Sequence, residues 1–331
     1  MTARALGLVG AAIALIGVVF LSLAFGTRDV PLDEVVAALF SPDLGNNDHV
    51  VVRDLRVPRT IIGLVAGASL AVAGGIMQGL SRNPLADPGL LGVNAGASLF
   101  VVVGITWFGI TASTGYIWFA FAGAAVATVV VYAIGAGRSG NPTPVTLTLA
   151  GTAVTAVLTS LITLLLIGNL DTLNQYRFWA VGSLVGRDLD TVTSLAPFLV
   201  GGAVLAVIVA RMLNVLALGE DVARGLGQNV SVARALSALA IVVLCGSATA
   251  IAGPIVFVGL VVPHIARRIT GPDYRWILAY SALIGPALLV LADVVGRVVV
   301  RPTELEAGIV VAFLGAPVMI ALVRRSKVGV L

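Results

Sequence analysis

The chain is nearly empty of the side chains that most protein chemistry uses. It has one cysteine, Cys245, and one lysine, Lys327, among 331 residues. A lone cysteine can close no internal disulfide. A P-loop needs Gly-x4-Gly-Lys-Ser/Thr with the lysine on the phosphates, and Lys327 is followed by Val328, so ATP hydrolysis by that route is excluded. There are only two histidines, His49 and His264, and neither sits in a His-Glu-x2-His or cysteine-rich setting that would hold zinc. His49 is read as a solvated loop residue. No Ser-His-Asp grouping is suggested, which leaves an intramembrane enzyme without a nucleophile. Charge is scarce as well, at 11% of residues against about 25% in soluble domains. The other basic residues are all arginine and lie scattered, so the positive balance marks no nucleic-acid patch.

What is present is apolar. Hydrophobic residues make up 59% of the chain and the mean hydropathy is +1.07. No soluble core absorbs that much apolar surface, so the chain reads as a polytopic membrane protein. Runs near the ~20 residues needed to cross a bilayer centre on Ala14, Ala71, Val101, Val126, Leu158, Ala203, Ala240, Gly259, Leu288 and Val318. None alternates with the period of a barrel strand. The expectation is an all-α fold of about ten transmembrane helices, one permease domain over residues 1–331 with no internal repeat. The first run imitates a signal peptide but lacks a small-x-small cleavage site, so it is read as a retained helix.

Ten spans with an inner N-terminus place Arg82–Pro88, Gly137–Pro142, Arg211–Arg234 and His264–Arg275 inside. Gly26–Arg59, Gly109–Gly115, Gly168–Asp190 and Arg297–Glu306 then lie outside. Twelve bases fall inside (Arg4, Arg82, Arg138, Arg211, Arg224, Arg234, Arg267, Arg268, Arg275, Arg324, Arg325 and Lys327) against eight outside, as the positive-inside rule asks. Both termini are thus expected in the cytoplasm. The eighth span, Pro254 to Pro263 and at most to Arg268, is short; it is kept as a crossing because a re-entrant segment would put Arg324, Arg325 and Lys327 outside. In the outer loops, Asp33-Glu34 start a surface helix over Val35–Phe40, and Phe178–Leu184 reads as an interfacial helix anchored by Trp179.

Three places concentrate polar residues. Between the second and third spans stands Gln78-x3-Arg82-Asn83-Pro84-Leu85-Ala86-Asp87-Pro88-Gly89, a turn stiffened by proline at both ends. Before the seventh span stands Leu218-Gly219-Glu220-Asp221-Val222-Ala223-Arg224-Gly225-Leu226-Gly227. Its acidic pair favours a helix start and its glycines a stop, giving a short surface helix that presents Val222, Ala223 and Leu226. Pattern alone reads it as an amphipathic interfacial helix. Asp293 is the one acidic residue deep in a span, and Arg297, four residues on, shares its helix face and pairs with it. That pairing favours a structural role over a proton relay, which weakens the rival reading of an ion-coupled secondary transporter.

The first two strings, with Ala252-Gly253-Pro254-Ile255-Val256-Phe257-Val258-Gly259-Leu260-Val261-Val262-Pro263-His264-x2-Arg267, Gly271-x-Asp273-x-Arg275 and Ala292-Asp293-x3-Arg297, resemble the FecCD/BtuC permeases. These are membrane subunits of ATP-driven importers for iron chelates, haem and vitamin B12. The resemblance spans essentially the whole chain. One departure is that Glu304-Leu305-Glu306-Ala307-Gly308 stands where most members have Glu-Leu-Pro-x-Gly, and with Arg177-Phe178-Trp179-x2-Gly182-Ser183-Leu184 this is most similar to the ferric-enterobactin branch.

The resemblance implies a translocation subunit of a type II importer, most simply for a ferric siderophore, in the cell membrane. It implies two cytoplasmic ATPases that use ATP and Mg, an extracytoplasmic siderophore-binding protein, and a second related permease as heterodimer partner. This chain itself would bind no cofactor or metal and carry no catalytic residue. Leu218 to Gly227 would be the helix that docks in the ATPase. Gln78, Arg82, Asn83, Pro84, Asp87, Pro88, Pro254, Pro263, His264, Arg267 and Asp293 would form structural and gating motifs. Arg56, Arg59 and Arg297 would receive carboxylates from the binding protein, whereas by position alone they anchor helix ends at headgroups.

Overall fold

The computed structural model describes residues 3–43, 45–110, 113–137 and 143–325; Arg138, in one inner loop, and Lys327 lie outside them. Among these residues every regular element is a helix. In chain order the α-helices are α1 (Ala3–Ala24), α2 (Leu32–Phe40), α3 (Asn47–Val50), α4 (Val57–Ser81), α5 (Val93–Phe108), α6 (Ser113–Ala136) and α7 (Pro144–Ile167). They continue with α8 (Leu170–Ala180), α9 (Leu189–Leu216), α10 (Glu220–Gly225), α11 (Val230–Ala252), α12 (Val258–Thr270), α13 (Tyr274–Val299) and α14 (Ala307–Arg325). Helices stand at all ten expected places, α1, α4, α5, α6, α7, α9, α11, α12, α13 and α14, and among the described residues seven of them, α1, α4, α6, α7, α9, α11 and α13, are long and apolar enough by themselves to cross a membrane. The expected surface helix is α2, with Asp33 and Glu34 in its first turn, where acidic groups meet the positive end of the helix dipole.

The centre of the molecule is α4, buried continuously from Ser69 to Leu80. Its glycines let neighbours approach to backbone contact. A β-carbon on Gly67 would meet the backbone of Gly285 and Pro286 at 2.7 Å, and one on Gly74 would meet the carbonyl of Gly259 at 1.9 Å. Gly63 faces Val290 and Gly79 faces Tyr274, so α13 runs antiparallel to α4. In turn α1 runs parallel to α13, with Gly7 against Tyr280 and Ser22 bonded to Arg297. The start of α1, the end of α4 and the start of α13 therefore share one end of the bundle. A π-helical stretch, Val51–Arg56, joins α3 to α4, so the second span starts earlier than the expected boundary at Arg59.

Three further expected features differ. The segment Arg82–Pro88 is more than a surface turn. Arg82, Asn83 and Pro84 are exposed, but Ala86 and Pro88 are buried, and Pro88 packs on Gly259, opposite Gly74 of α4. The chain thus climbs back into the bundle before α5 begins. The eighth span is half helix: α12 has 13 residues, about 20 Å at 1.5 Å per residue, against a ~30 Å hydrocarbon core. The missing height is covered by the irregular segment 253–257. Leu184, beside it, packs at Gly63, whereas Gly259 packs at Gly74, about 16 Å further along α4. Such backbone is tolerated at membrane depth only where protein shelters it and its polar groups are satisfied. Here Ser183 N–H donates to the Ala252 carbonyl (2.8 Å), Gly308 N–H to the Gly182 carbonyl (3.0 Å) and Val258 N–H to the Val256 carbonyl (3.0 Å). In the same region α8 ends at Ala180, so Phe178–Leu184 is helical only at its start. Trp179 is buried, a packing residue and no interfacial anchor.

Candidate functional site

At the end shared by Arg82 and the start of α13, Gly219 takes φ 105°, a left-handed region open to glycine, and starts α10. Gly227, at φ 82°, turns the chain towards α11. Between them Leu218, Val222 and Leu226 are exposed at 62%, 50% and 65%. Leu218 precedes the helix, Val222 lies within it and Leu226 closes it, so this short segment presents a ridge of exposed apolar side chains. Ala223 turns the other way and is fully buried, so it belongs to the seat of the helix, not to the presented face as the pattern suggested.

Glu220 fixes that ridge to the bundle. Its carboxylate accepts from Arg82 (2.6 Å), from Arg224 (3.4 Å) and, in a short contact, from the buried guanidinium of Arg234 on α11. Arg224 also pairs with the exposed Asp221 (3.1 Å). Arg82 is the left-handed C-cap of α4 at φ 51°, a rare conformation outside glycine. The two polar strings noticed separately in the sequence therefore meet in one ion-pair node, which ties α10 to α4 and α11.

The turn residues between α4 and α5 each have a local task. Asn83 Oδ1 accepts from Leu85 N–H (2.9 Å), and Asp87 Oδ1 from Gly89 N–H (2.8 Å), which starts the 3-10 turn Pro88–Leu91. Gln78 Nε2 donates to the Leu260 carbonyl (3.1 Å), stitching α4 to the first turn of α12. Phe257 caps α12 at φ 69° and packs on Gly315 of α14. Pro254 sits in the irregular half of span eight, and Pro263 packs within α12 against Gly75. Arg267 donates to the Tyr274 hydroxyl (3.0 Å), with its guanidinium 5.3 Å from the ring centre. Neither ring nitrogen of His264 has a partner among the described residues.

At the opposite end lies a buried cluster of charge. Arg59 grips Asp293 with two nitrogens (2.7–3.0 Å) and reaches Glu304 (2.6 Å). Arg297 pairs with Asp293 (3.1 Å), as the spacing of four implied, and also donates to the carbonyl and hydroxyl of Ser22. Arg56 donates to the carbonyls of Leu23 and Ala24 (2.7 and 2.8 Å), the last unsatisfied acceptors of α1, and to that of Arg28. Arg56 and Arg297 are 4% and 2% exposed, so burial withdraws them from any protein docking on this face in this conformation. They are internal clamps, and the headgroup-anchor reading falls with the docking one. The cluster underlies a cleft of about 250 Å³ lined by Arg28, Arg56, Arg59, Arg187 and Arg297 with Asp54, Asp188 and Glu304. Its five guanidinium groups meet these three carboxylates, Asp293 beneath Arg59 and Arg297, and Asp48 on Arg28, so the charges balance. Sequence reasoning passed over Arg187, Arg234, Glu304 and Ser22, whose partners lie in distant segments.

Among the described residues no group of three His, Cys, Asp or Glu is placed to hold a metal. One end offers an apolar ridge on a rigid seat and the other a cleft lined by paired charges. The profile of the FecCD transport family matches residues 13–325. The chain is 48% identical to the ferric enterobactin transport system permease protein FepD of Escherichia coli K12, covering 98% of this chain and 97% of that protein. It is 43% identical to the Fe(3+)-citrate import system permease protein YfmD of Bacillus subtilis 168, over 93% and 91% of the two chains. A solved structure described as a metal-chelate type ABC transporter in an inward-facing conformation superposes with a TM-score of 0.82. It covers 96% of this chain and 98% of its own at 24% identity, a likeness of fold.

Proposed function

This chain belongs to the FecCD transport family, and from that premise we propose that it carries a ferric siderophore, of the enterobactin type, across the cell membrane. It is the multi-pass translocation subunit of an ABC importer and works within a larger transporter. In our reading the Glu220 end faces the cytoplasm, which puts both termini inside. Two ATPases there hydrolyse ATP with Mg, while this chain binds no cofactor and does no chemistry of its own. An extracytoplasmic binding protein delivers the chelate to the other end, and a second, related permease completes the pathway as a heterodimer.

The observation that carries this reading is the ridge of Leu218, Val222 and Leu226 held on the Glu220 node. An apolar ridge exposed at a membrane protein's aqueous end calls for a protein groove. A rigid seat lets movement of that groove reach α4 and α11 as whole bodies, in the manner of packed elements with discrete arrangements. The rival, a secondary transporter, would need ionisable groups free at mid-membrane, and Asp293 is occupied by two arginines.

Glu220→Gln keeps the size of the side chain and removes the charge that holds three guanidinium groups. In the assembled transporter it is expected to leave membrane insertion intact and to uncouple ATP hydrolysis from uptake. Normal uptake with normal recruitment of the ATPase would reduce α10 to an interfacial helix.

A further inference from the structure

Between α9 and α13 a groove of about 430 Å³ opens on the side of the bundle, floored by α4. Small side chains create it: Ala68 and Val72 form the floor, Ala203 and Val207 one wall, Leu278 and Ala282 the other. It runs along α9 from Leu199 to Arg211, about 18 Å of helical rise, close to the ~15 Å half-thickness of the hydrocarbon core. An empty slot of that length at membrane depth would forfeit dispersion contacts along its whole lining. Its mouth lies at the Glu220 end and is flanked by Arg211 and Arg275. Arg211 is exposed and makes no ion pair or hydrogen bond among the described residues. Arg275 shares Asp273 (2.9 Å) but keeps 61% of its side chain exposed. Two guanidinium groups and one carboxylate leave a net charge of +1 over an apolar slot.

We propose that this groove holds an acyl chain of one anionic phospholipid, with Arg211 and Arg275 on its phosphodiester. Each part of the ligand has its match. The slot takes hydrocarbon and is sealed from water by α4. The mouth sits where a headgroup of that leaflet lies, and arginine forks pair with phosphate oxygens bidentately. Basic pockets between membrane helices are a recurrent seat for such headgroups. The net positive charge selects an anionic lipid over a zwitterionic one of equal chain length. The lipid would also fill the face on which α9 and α13 flank α4, stiffening the helix that carries the Arg82 node.

The test is native mass spectrometry of the assembled transporter titrated with phosphatidylglycerol and with phosphatidylcholine of the same acyl chains. Phosphatidylglycerol is expected to be retained roughly fivefold or more over phosphatidylcholine, from about one net charge at the surface. The double variant Arg211→Gln/Arg275→Gln, both side chains exposed, should lose that preference, and so should Arg211→Gln alone in part, which leaves the Arg275–Asp273 pair and the unfolding temperature as they are. Arg268→Gln, an exposed arginine of the same end outside the groove, should keep it. Ala203→Phe, which fills the slot, should lower retention of both lipids with the arginines in place. Equal retention of the two lipids by the unaltered protein, or an unchanged preference in the double variant, would overturn the proposal. So would cross-linking of a cysteine at position 203 to a second subunit, which would make the groove a protein interface.

Discussion

At the residue scale, the central fact is that the charged groups of this chain are spent on holding it together. Arg59 is the clearest case. It supplies Asp293 with a bidentate partner and Glu304 with a second, nearly out of water. Breaking a buried pair by removing one partner costs roughly 3–5 kcal/mol, because the other charge stays uncompensated. Arg59→Ala is therefore expected to lower the unfolding temperature of the purified protein strongly, with Arg59→Lys recovering little, since an ammonium cannot fork onto a carboxylate. A thermal scan in detergent compares the three. Asp273 gives a pH prediction. The hydrogen bond from the Arg275 guanidinium, with further ones from Asn214 and the Arg275 N–H, holds its carboxylate down to about 2. A depressed carboxylate stabilises the fold above its unfolded value, roughly 3.9, and loses that contribution as pH falls through about 2. The destabilisation by Asp273→Asn should thus be constant from pH 5 to pH 8 and shrink only below pH 4, as unfolding temperatures across that range will show. Of these contacts the sequence made only the nearest legible. Asp293 and Arg297 are one helical turn apart and announced their pairing. Arg59 stands 234 residues from Asp293, and Arg82 138 residues from Glu220, so no local pattern could join them.

At the element scale, apolar runs located the long helices but not their internal build. Hydropathy averages over a window, and a window cannot separate a helix from the sheltered irregular backbone of residues 253–257, since both are apolar. The same blindness made Arg82–Pro88 look like a surface turn: prolines mark where a helix stops, not the depth to which the chain returns. Small residues, by contrast, act as packing devices, and at the centre of the bundle Gly74 lies against the Gly259 carbonyl. Adding a β-carbon there forces backbone apart, at about 1–3 kcal/mol for overpacking and more where backbone must move. Gly74→Ala is expected to destabilise the protein measurably and to disturb the junction between the irregular and helical halves of span eight. Gly201→Ala, on an exposed face of α9 with nothing within 4 Å, should be neutral. Equal unfolding temperatures for the two variants would show that α4 and α12 are not in contact as described.

At the scale of the whole molecule, the composition foretold the membrane, and the scarcity of lysine gives the expectation that energy comes from another chain. The structure adds that the parts expected to meet partners lie at opposite ends of α4, with the charged cluster at one end and the Glu220 node at the other. Purified alone, the protein is expected to hydrolyse no ATP above background, as a phosphate-release assay after rigorous removal of partner subunits will show. The orientation proposed from charge gives a further prediction: a cysteine in the exposed turn at Pro84 should resist an impermeant reagent on intact cells and react in inverted vesicles. The most direct test of the account as a whole is uptake. The chain, its second permease and its ATPases are reconstituted in proteoliposomes, the binding protein is supplied with radio-iron-labelled ferric enterobactin, and accumulation is followed. The account predicts accumulation that requires ATP on the Glu220 side, stops when this chain is omitted, and is lost in Glu220→Gln. Accumulation driven by a proton or sodium gradient in the absence of ATP would contradict it.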